Sequence, residues 1–238
     1  MIVIDTETTG MGDQDQVIEL GWASQDRGGG MLIVPTVPIQ PDARASHHIT
    51  DRELFTRGYN QAQALRRIED ELIETSPWVF HNAAFDMRML RQTWPSLPVP
   101  PVICTWRCSL HLWPDAPSHS NQALRYWLDL PVVAAQCPHC GQAPHAHRAP
   151  FDASVTLALV NRMVEMGFSV EDLVRMSGEP VVLHRVRFGK HEGELWVDVP
   201  RDYLHWILRQ GDFDEDVRHT AHHYFHRSLT PQNYSDTP

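Results

Sequence analysis

The first seven residues constrain this chain more than any other stretch. The apolar run 1–4 predicts a buried strand, and Asp5 and Glu7 follow where such a strand would end. Side chains two positions apart in a strand point to the same face of the sheet, so both carboxylates can reach one point. Divalent cations such as Mg²⁺ prefer oxygen ligands. A metal site is therefore one interpretation of this stretch, and a solvated strand end is the other.

Composition and charge bound the class of protein. The chain has 238 residues, 42% of them apolar, which is enough for one main domain and an appendage. It contains no run of eighteen apolar residues and begins without a basic leader, which predicts no membrane partner, no secretory signal and a cytoplasmic location. The net charge of −10 does not favour phosphate binding, yet Lys190 is the only lysine among 20 basic residues, and arginine binds phosphate well. Charge alone therefore does not decide the partner.

The apolar pattern predicts an α/β fold with a mixed five-stranded sheet flanked by helices. Antiparallel strands are expected at 16–23 and 31–34, with the glycine triplet 28–30 as the turn between them. The prolines that follow predict an extended connection up to residue 45. The remaining predicted strands are 78–80 and 102–104, and the main predicted helices are 61–74, 83–92, 105–113, 120–128 and 149–166.

Two further carboxylates are predicted at the ends of regular elements. Asp86 lies in the helix after the second buried run, and Asp152 lies in the first turn of helix 149–166, where the helix dipole favours a negative charge. His147 precedes Asp152 by five positions. Four such carboxylates suit two metal ions roughly 4 Å apart that cleave a phosphodiester bond. A histidine titrates near neutral pH and is able to take the proton from the attacking water.

Three segments, 5–10, 81–86 and 147–153, resemble the three motifs of the DEDD superfamily of 3′→5′ exonucleases. The third segment has a histidine five positions before its aspartate, and in this it resembles the DEDDh branch of the superfamily. This resemblance implies a ribonuclease-H-like fold and two Mg²⁺ or Mn²⁺ ions. It also implies His147 as general base and a set of four metal ligands, namely Asp5, Glu7, Asp86 and Asp152.

The resemblance further implies release of nucleoside 5′-monophosphates from DNA 3′ ends, single-stranded or duplex. Four residues in or directly after the first two motifs are expected to contact the 3′-terminal nucleotide: Thr8, Met11, His81 and Asn82. Two alternatives stay open, a 3′→5′ exoribonuclease of the same superfamily and a non-catalytic nucleic-acid-binding module on the same fold.

A second metal site is conceivable in the segment 137–145. Cys137 and Cys140 have the spacing of zinc ligands, and His145 lies nearby. Only one such pair occurs in this segment, whereas a structural zinc ion takes four ligands. A loop without metal is therefore the favoured interpretation, and zinc is the alternative.

Three regions are expected along the chain. They are an exonuclease domain at 1–178, a small α+β module at 180–227 made of a hairpin and helices, and a disordered polar tail at 228–238. Segments 46–50, 103–105, 112–114 and 188–193 are similar to one exodeoxyribonuclease of the superfamily and extend the resemblance to nearly the full length. Aromatic and basic residues alternate in the module, which predicts either a small core or a DNA contact.

Overall fold

The computed structural model describes residues 1–73, 75–131 and 145–227. The chain forms two compact units, and the first contains Met1–Cys108 and Ala116–Ser177. The second contains Ser109–Asp115 together with the chain from Gly178 onward, so it takes in a short internal segment besides the expected module. No helix in the described ranges has the length and apolar character that a membrane crossing needs.

The first unit is built on a mixed five-stranded sheet, as predicted. Its strands are β1 (Ile2–Thr8), β2 (Val17–Ala23), β3 (Gly28–Leu32), β4 (Trp78–Phe80) and β5 (Val102–Cys104). Their order is β3-β2-β1-β4-β5; β1 pairs antiparallel with β2 and parallel with β4, and β5 is parallel to β4. Because β1, β4 and β5 run in the same direction, their carboxyl ends meet at one edge of the sheet.

Among the described residues of the first unit, eight helices begin. They are α1 (Pro41–His47), α2 (Asp51–Arg57), α3 (Gln61–Glu71), α4 (Ala83–Thr93), α5 (Thr105–Leu112), α6 (Asn121–Trp127), α7 (Ala149–Glu165) and α8 (Val170–Gly178). One face of β1 presents Ile2 and Ile4 to a core that includes residues of α3 and α4. Long helix α7 packs on β1, β2 and β3. Side chains alternate between the faces of a strand, so the two layers receive alternate residues of β1.

The glycine triplet is part of strand β3, so the predicted turn at 28–30 is wrong. Gly29 pairs with Trp22 across the strands, and a Cβ atom on Gly29 would lie 2.8 Å from the Trp22 ring. The turn comes earlier, where the backbone N–H of Ser24 donates to the carbonyl oxygen of Arg27 at 2.7 Å. Glycine occurs here because a large ring covers the strand, which is a tertiary reason that a local pattern does not show.

Three helices that begin in the first unit differ from the sequence-based expectation by more than one residue. Helix α1 begins at Pro41, inside the segment expected to be extended, because proline is tolerated in a first helical turn. Helix α8 was not expected, and its last residue, Gly178, is the first residue of the second unit's main segment. Helix α3 ends at Glu71, three residues before the predicted end.

The second unit is mostly helical in the described residues. It contains α9 (Arg201–Arg209), α10 (Glu215–Arg227) and two short 3₁₀ helices, Gly189–His191 and Trp196–Asp198. The predicted hairpin is reduced to one isolated bridge between Arg185 and Leu195. Positive φ angles at Gly189 and Gly193 bend the chain between the two paired segments.

Aromatic side chains form the core of the second unit. Trp196 is fully buried, and its ring contacts Phe188 edge to face at 6.2 Å. Tyr203 stacks on Trp206 at 5.2 Å, and the ammonium group of Lys190 lies 5.0 Å from the Tyr203 ring. These contacts favour the small-core interpretation of the aromatic residues. The predicted tail at 228–238 lies outside the described residues.

Candidate active site

Strand β1 presents Asp5 and Glu7 on the face that α7 covers. Asp5 is opposite Gly21 in the register with β2, and Glu7 is opposite Glu19. A β-bulge follows, between Glu7 and Thr8, where the regular pairing ends. Both predicted ligands therefore lie in the last regularly paired part of the central strand. Their two-residue spacing places both side chains on the same face of the sheet.

Gly21 lets the start of α7 come close to the sheet. A Cβ atom at this position would collide with the backbone of Ala149 and Pro150. Gly21 pairs with Asp5, so the first turn of α7 crosses β2 directly beside that carboxylate. The close approach of two backbones is what brings Asp152, in the same helical turn, to the ligands of β1.

Asp152 is held by hydrogen bonds to both of its carboxylate oxygens. Oδ2 accepts a bond from the backbone N–H of His147 at 2.7 Å, and Oδ1 accepts one from Nε2 of Gln122 at 2.6 Å. A carboxylate oxygen from each of Asp5, Glu7 and Asp152 lies within 4.8 Å of the other two. The structure thus brings together three of the four predicted ligands, all with the hard oxygen donors that suit a divalent cation.

The fourth carboxylate, Asp86, comes from α4 on the opposite layer. Its Oδ1 accepts hydrogen bonds from the backbone N–H of Thr6 at 3.1 Å and from the Thr6 hydroxyl at 2.7 Å. Thr6 lies between Asp5 and Glu7 and points to the other face of the strand. These two bonds tie Asp86 to β1, and its charge is close enough to Asp5 to disfavour ionisation there.

All four carboxyl groups have pKa values above the ordinary range. Burial is the main cause at each, and it raises the pKa of Asp86 to about 7. The pKa of Asp5 is well above normal because of burial and then the charges of Asp86 and Asp152. Burial and then the charge of Glu19 raise the pKa of Glu7, and burial raises that of Asp152. Without a cation the cluster disfavours its own negative charges, so the donor set fits divalent metal ions.

His147 lies at the edge of the cluster with its side chain exposed. Its φ angle is +62°, a left-handed conformation that costs a non-glycine residue on the order of 1 kcal/mol. The hydrogen bond from its backbone N–H to Asp152 accompanies this conformation. The backbone of the predicted general base is thus held beside the predicted ligand Asp152, while its ring remains accessible.

The residues expected to contact a nucleotide have varied surroundings. Thr8 is buried and donates its hydroxyl proton to the carbonyl oxygen of Gly10 at 2.7 Å, whereas Met11 is 76% exposed. Asn82 is exposed and has a φ angle of +70° at the start of α4. The ring nitrogens of His81 lie 2.9 Å from the Thr105 hydroxyl and 2.8 Å from the carbonyl oxygen of His119. Nucleotide contact by all four remains a prediction.

Burial lowers the pKa of His81 to about 4, so this ring is neutral near pH 7. A carbonyl oxygen only accepts, so Nε2 carries the proton and donates to His119, and Nδ1 is the acceptor. Through these bonds His81 connects the end of β4 with the start of α5 and with the segment before α6.

Three residues near the cluster escaped the sequence analysis: Glu19, Gln122 and Arg148. Glu19 is fully buried and forms an ion pair with Arg148 at 2.6 Å. The signal available in the sequence was an acidic residue inside an otherwise apolar strand, at a type of position where a charged side chain is rare unless it is paired. Cys137 and Cys140 of the possible zinc site lie outside the described residues, and Nδ1 of His145 is 2.7 Å from the carbonyl oxygen of Ala146.

The chain is similar to known proteins in sequence and in fold. The chain is 34% identical over 237 residues to Exodeoxyribonuclease 10 of Escherichia coli strain K12, covering 93% of this chain and 97% of that protein. It is 27% identical over 176 residues to an uncharacterised exonuclease, CP81, of Escherichia phage 186, covering 70% and 89% of the two chains. The solved structure of Exonuclease X in complex with 5′ overhanging duplex DNA superposes with a TM-score of 0.57 at 28% identity, covering 74% of this chain and 99% of that one.

The fold is ribonuclease-H-like, as in the solved structure of Exonuclease X. The family model RNase_T, described as Exonuclease, matches residues 2–160, a stretch that contains every residue of the carboxylate cluster. With this match and the 34% identity over nearly the whole length, the chain belongs to the RNase_T exonuclease family of the DEDD superfamily and is a 3′→5′ exonuclease.

Proposed function

We propose that this site hydrolyses the last phosphodiester bond at a DNA 3′ end and releases a nucleoside 5′-monophosphate. The observation that carries the proposal is the cluster of Asp5, Glu7 and Asp152, with carboxylate oxygens within 4.8 Å of one another, beside the exposed His147. DNA as substrate is supported by two of the similar proteins, one named an exodeoxyribonuclease and the other solved with duplex DNA.

The carboxylates divide between two cation sites in this proposal. Asp5, Glu7 and Asp152 would hold one Mg²⁺ or Mn²⁺ ion, and Asp5 with Asp86 would hold the second. When bound, two such ions stabilise the charge that develops on the attacking and leaving oxygens. The raised pKa values support this assignment, because cations remove the mutual repulsion that the buried carboxylates otherwise experience.

His147 would act as the general base. Its ring would accept a proton from the attacking water as the water oxygen forms a bond to phosphorus. The bond from phosphorus to the 3′ oxygen of the preceding nucleotide breaks, and that oxygen takes up a proton from solvent water. The backbone bond from His147 to Asp152 supports this role, because it fixes the base relative to a ligand. Gln122 restrains the other oxygen of the same carboxylate.

The terminal nucleotide would lie on the loop after β1. Met11 is exposed here, and both terminal nitrogens of Arg88 donate to its carbonyl oxygen at 3.3 Å. This contact fixes the loop against α4 while leaving the Met11 side chain available for a base. Thr8, His81 and Asn82 would complete the surroundings of the nucleotide.

The test measures nucleotide release from matched 3′-labelled DNA and RNA oligonucleotides in Mg²⁺. Asp5→Ala and His147→Ala are each expected to lose at least about a hundredfold in rate while remaining folded. The controls are Asp70→Ala and His226→Ala, which remove an exposed aspartate and an exposed histidine that the proposal does not use and should leave the rate unchanged.

The outcomes separate the parts of the proposal. Near-full activity of either site variant contradicts the mechanism. Faster release from RNA than from DNA would make the protein an exoribonuclease acting through the same residues. Labelling the opposite end distinguishes stepwise 3′ removal from internal cleavage.

A further inference from the structure

A buried ion pair between Glu19 and Arg148 lies next to the carboxylate cluster. Nε of Arg148 donates to both oxygens of Glu19 at 3.0 and 3.1 Å, and one terminal nitrogen donates to Oε1 at 2.6 Å. The Arg148 side chain is 5% exposed and that of Glu19 is 0% exposed. A third residue, Glu53 of α2, accepts from the same terminal nitrogen at 3.3 Å.

Glu19, which lies in strand β2, also caps the start of helix α7. The first N–H groups of a helix have no partner within the helix. Arg148 occupies the N-cap position of α7 and makes no side-chain cap bond, whereas Oε2 of Glu19 accepts the N–H of Ala149 at 2.8 Å. Glu19 therefore holds the backbone at the start of α7 as well as the guanidinium group.

The pair connects the two halves of the active site. Glu19 lies opposite Glu7 in the sheet, and Arg148 directly follows His147. Asp152 is in the first turn of the helix that Glu19 caps. Any movement of α7 relative to β2 would separate the proposed base and one ligand from the ligands of β1.

A buried ion pair is weak evidence for a contribution to stability. Replacing a buried ion pair by apolar side chains of similar volume is often neutral or stabilising. Glu19 also adds a negative charge next to carboxylates that already repel one another, since after burial it is the strongest contribution to the raised pKa of Glu7. Arg148 acts in the opposite direction on the same group.

We propose that Glu19 and Arg148 form a positioning pair, which fixes the start of α7 so that His147 and Asp152 face the ligands on β1. The proposal rests on the proposed function, because it concerns the geometry of that reaction. Neither residue contacts the reacting atoms. Both act through the backbone between His147 and Ala149.

The experiment compares wild type with Arg148→Met, Glu19→Gln and the double variant. For each protein, kcat, KM and the Mg²⁺ concentration for half-maximal rate are measured on a 3′-labelled DNA oligonucleotide, with the thermal unfolding midpoint as a check of folding. Each single variant is expected to lose about ten- to a hundredfold in kcat with KM within about threefold of wild type. The double variant should be no worse than about the poorer single one, because both changes act on the same contact between β2 and the start of α7.

Arg67→Met is the matched control. Arg67 forms an Arg–Glu bond of the same 2.6 Å length, to Glu71 within helix α3 and outside the active site. This variant should keep kcat within about twofold of wild type. A general effect of losing an arginine would lower activity here as well.

The metal requirement distinguishes positioning from electrostatics. Glu19→Gln removes a negative charge near the ligands, and Arg148→Met removes a positive one. If the pair acted only through charge, the two variants would shift the required Mg²⁺ concentration in opposite directions and keep kcat at saturating Mg²⁺. Positioning predicts that both lose kcat and that both need the same or more Mg²⁺.

Retention of kcat within about twofold by folded Arg148→Met and Glu19→Gln overturns the proposal, as do opposite metal shifts with unchanged kcat. If Arg148→Met fails to fold, Arg148→Lys keeps the charge but loses the planar fork and should still lose about three- to tenfold in kcat. Unchanged kcat in that variant also overturns the proposal. Wild type is measured in the same assay, so absence of nucleotide release from wild type would contradict the proposed function and not the pair.

Discussion

At the scale of single residues, Asp86 is the clearest case of a group whose charge opposes folding. It is 4% exposed, and its pKa of about 7 exceeds the ordinary aspartate value of 3.8. The two hydrogen bonds from Thr6 lower this pKa without cancelling the effect of burial. Metal-free protein must therefore accept either a buried charge above pH 7 or a bound proton below it.

Replacing Asp86 by asparagine should raise the free energy of unfolding of metal-free protein by about 1–3 kcal/mol at pH 8. The amide oxygen is still able to accept from Thr6, and the buried charge is gone. In wild type the folded state binds the proton more tightly than the unfolded state, so folding becomes less favourable as the pH rises from about 4 to about 7. The gain should therefore shrink between pH 8 and pH 5, as measured by thermal unfolding in EDTA. A gain that grows at pH 5 would contradict the raised pKa.

Residues of this site differ in how well the sequence predicts them. Asp5, Glu7 and Asp152 follow from strand alternation and from their motifs, and the structure brings them together. Glu19 and Gln122 could not be predicted as partners, since their contacts depend on the strand register and on where α6 packs against α7.

At the scale of elements, the position of α7 depends on one glycine. A Cβ atom at Gly21 would overlap the backbone of Ala149 and Pro150, which cannot move aside as a flexible side chain can. We expect Gly21→Ala to cost about 1–3 kcal/mol in the free energy of unfolding. Nucleotide release should also fall by about tenfold or more, since Asp152 and His147 move with the helix.

Gly178→Ala provides the comparison for this change. No atom lies within 4 Å of a Cβ built at Gly178, and its φ angle is not in the left-handed region. This variant should alter stability by less than about 0.5 kcal/mol and leave the rate unchanged. Urea unfolding of both variants, together with the release assay, measures the two effects. Equal behaviour of the two glycine variants would refute the role given to Gly21.

Helices and strands were predicted well where a local sequence pattern determines them. They were predicted poorly where contacts with another element determine the local structure. The strand at 16–23 and the helix over 149–166 follow from apolar runs of the right length. The glycine triplet was assigned to a turn because nothing local shows that the Trp22 ring covers it. Helix α1 was missed because its first residue, Pro41, is compatible with both an extended chain and a helix start.

At the scale of the whole molecule, negatively charged side chains from both faces of the sheet lie close together. Asp5 and Glu7 face α7, whereas Asp86 arrives from α4 on the opposite face and is joined to β1 through Thr6. The fold therefore concentrates negative charge at one edge of the sheet in a protein whose net charge is already −10. Cations should relieve this repulsion in the folded state only, because the unfolded chain does not bring the carboxylates together.

Saturating Mg²⁺ or Mn²⁺ should consequently raise the thermal unfolding midpoint relative to protein in EDTA. Binding of one ion at a concentration of about 100 Kd contributes about 2.7 kcal/mol. Asp5→Asn should have two opposite effects, since Asp5 belongs to both proposed cation sites and to the repelling cluster. The variant should unfold at a higher temperature than wild type in EDTA and lose most of the increase that the metal produces. A variant that keeps the full increase would show that the ions bind elsewhere, and one that is less stable than wild type in EDTA would show that Asp5 does not oppose folding.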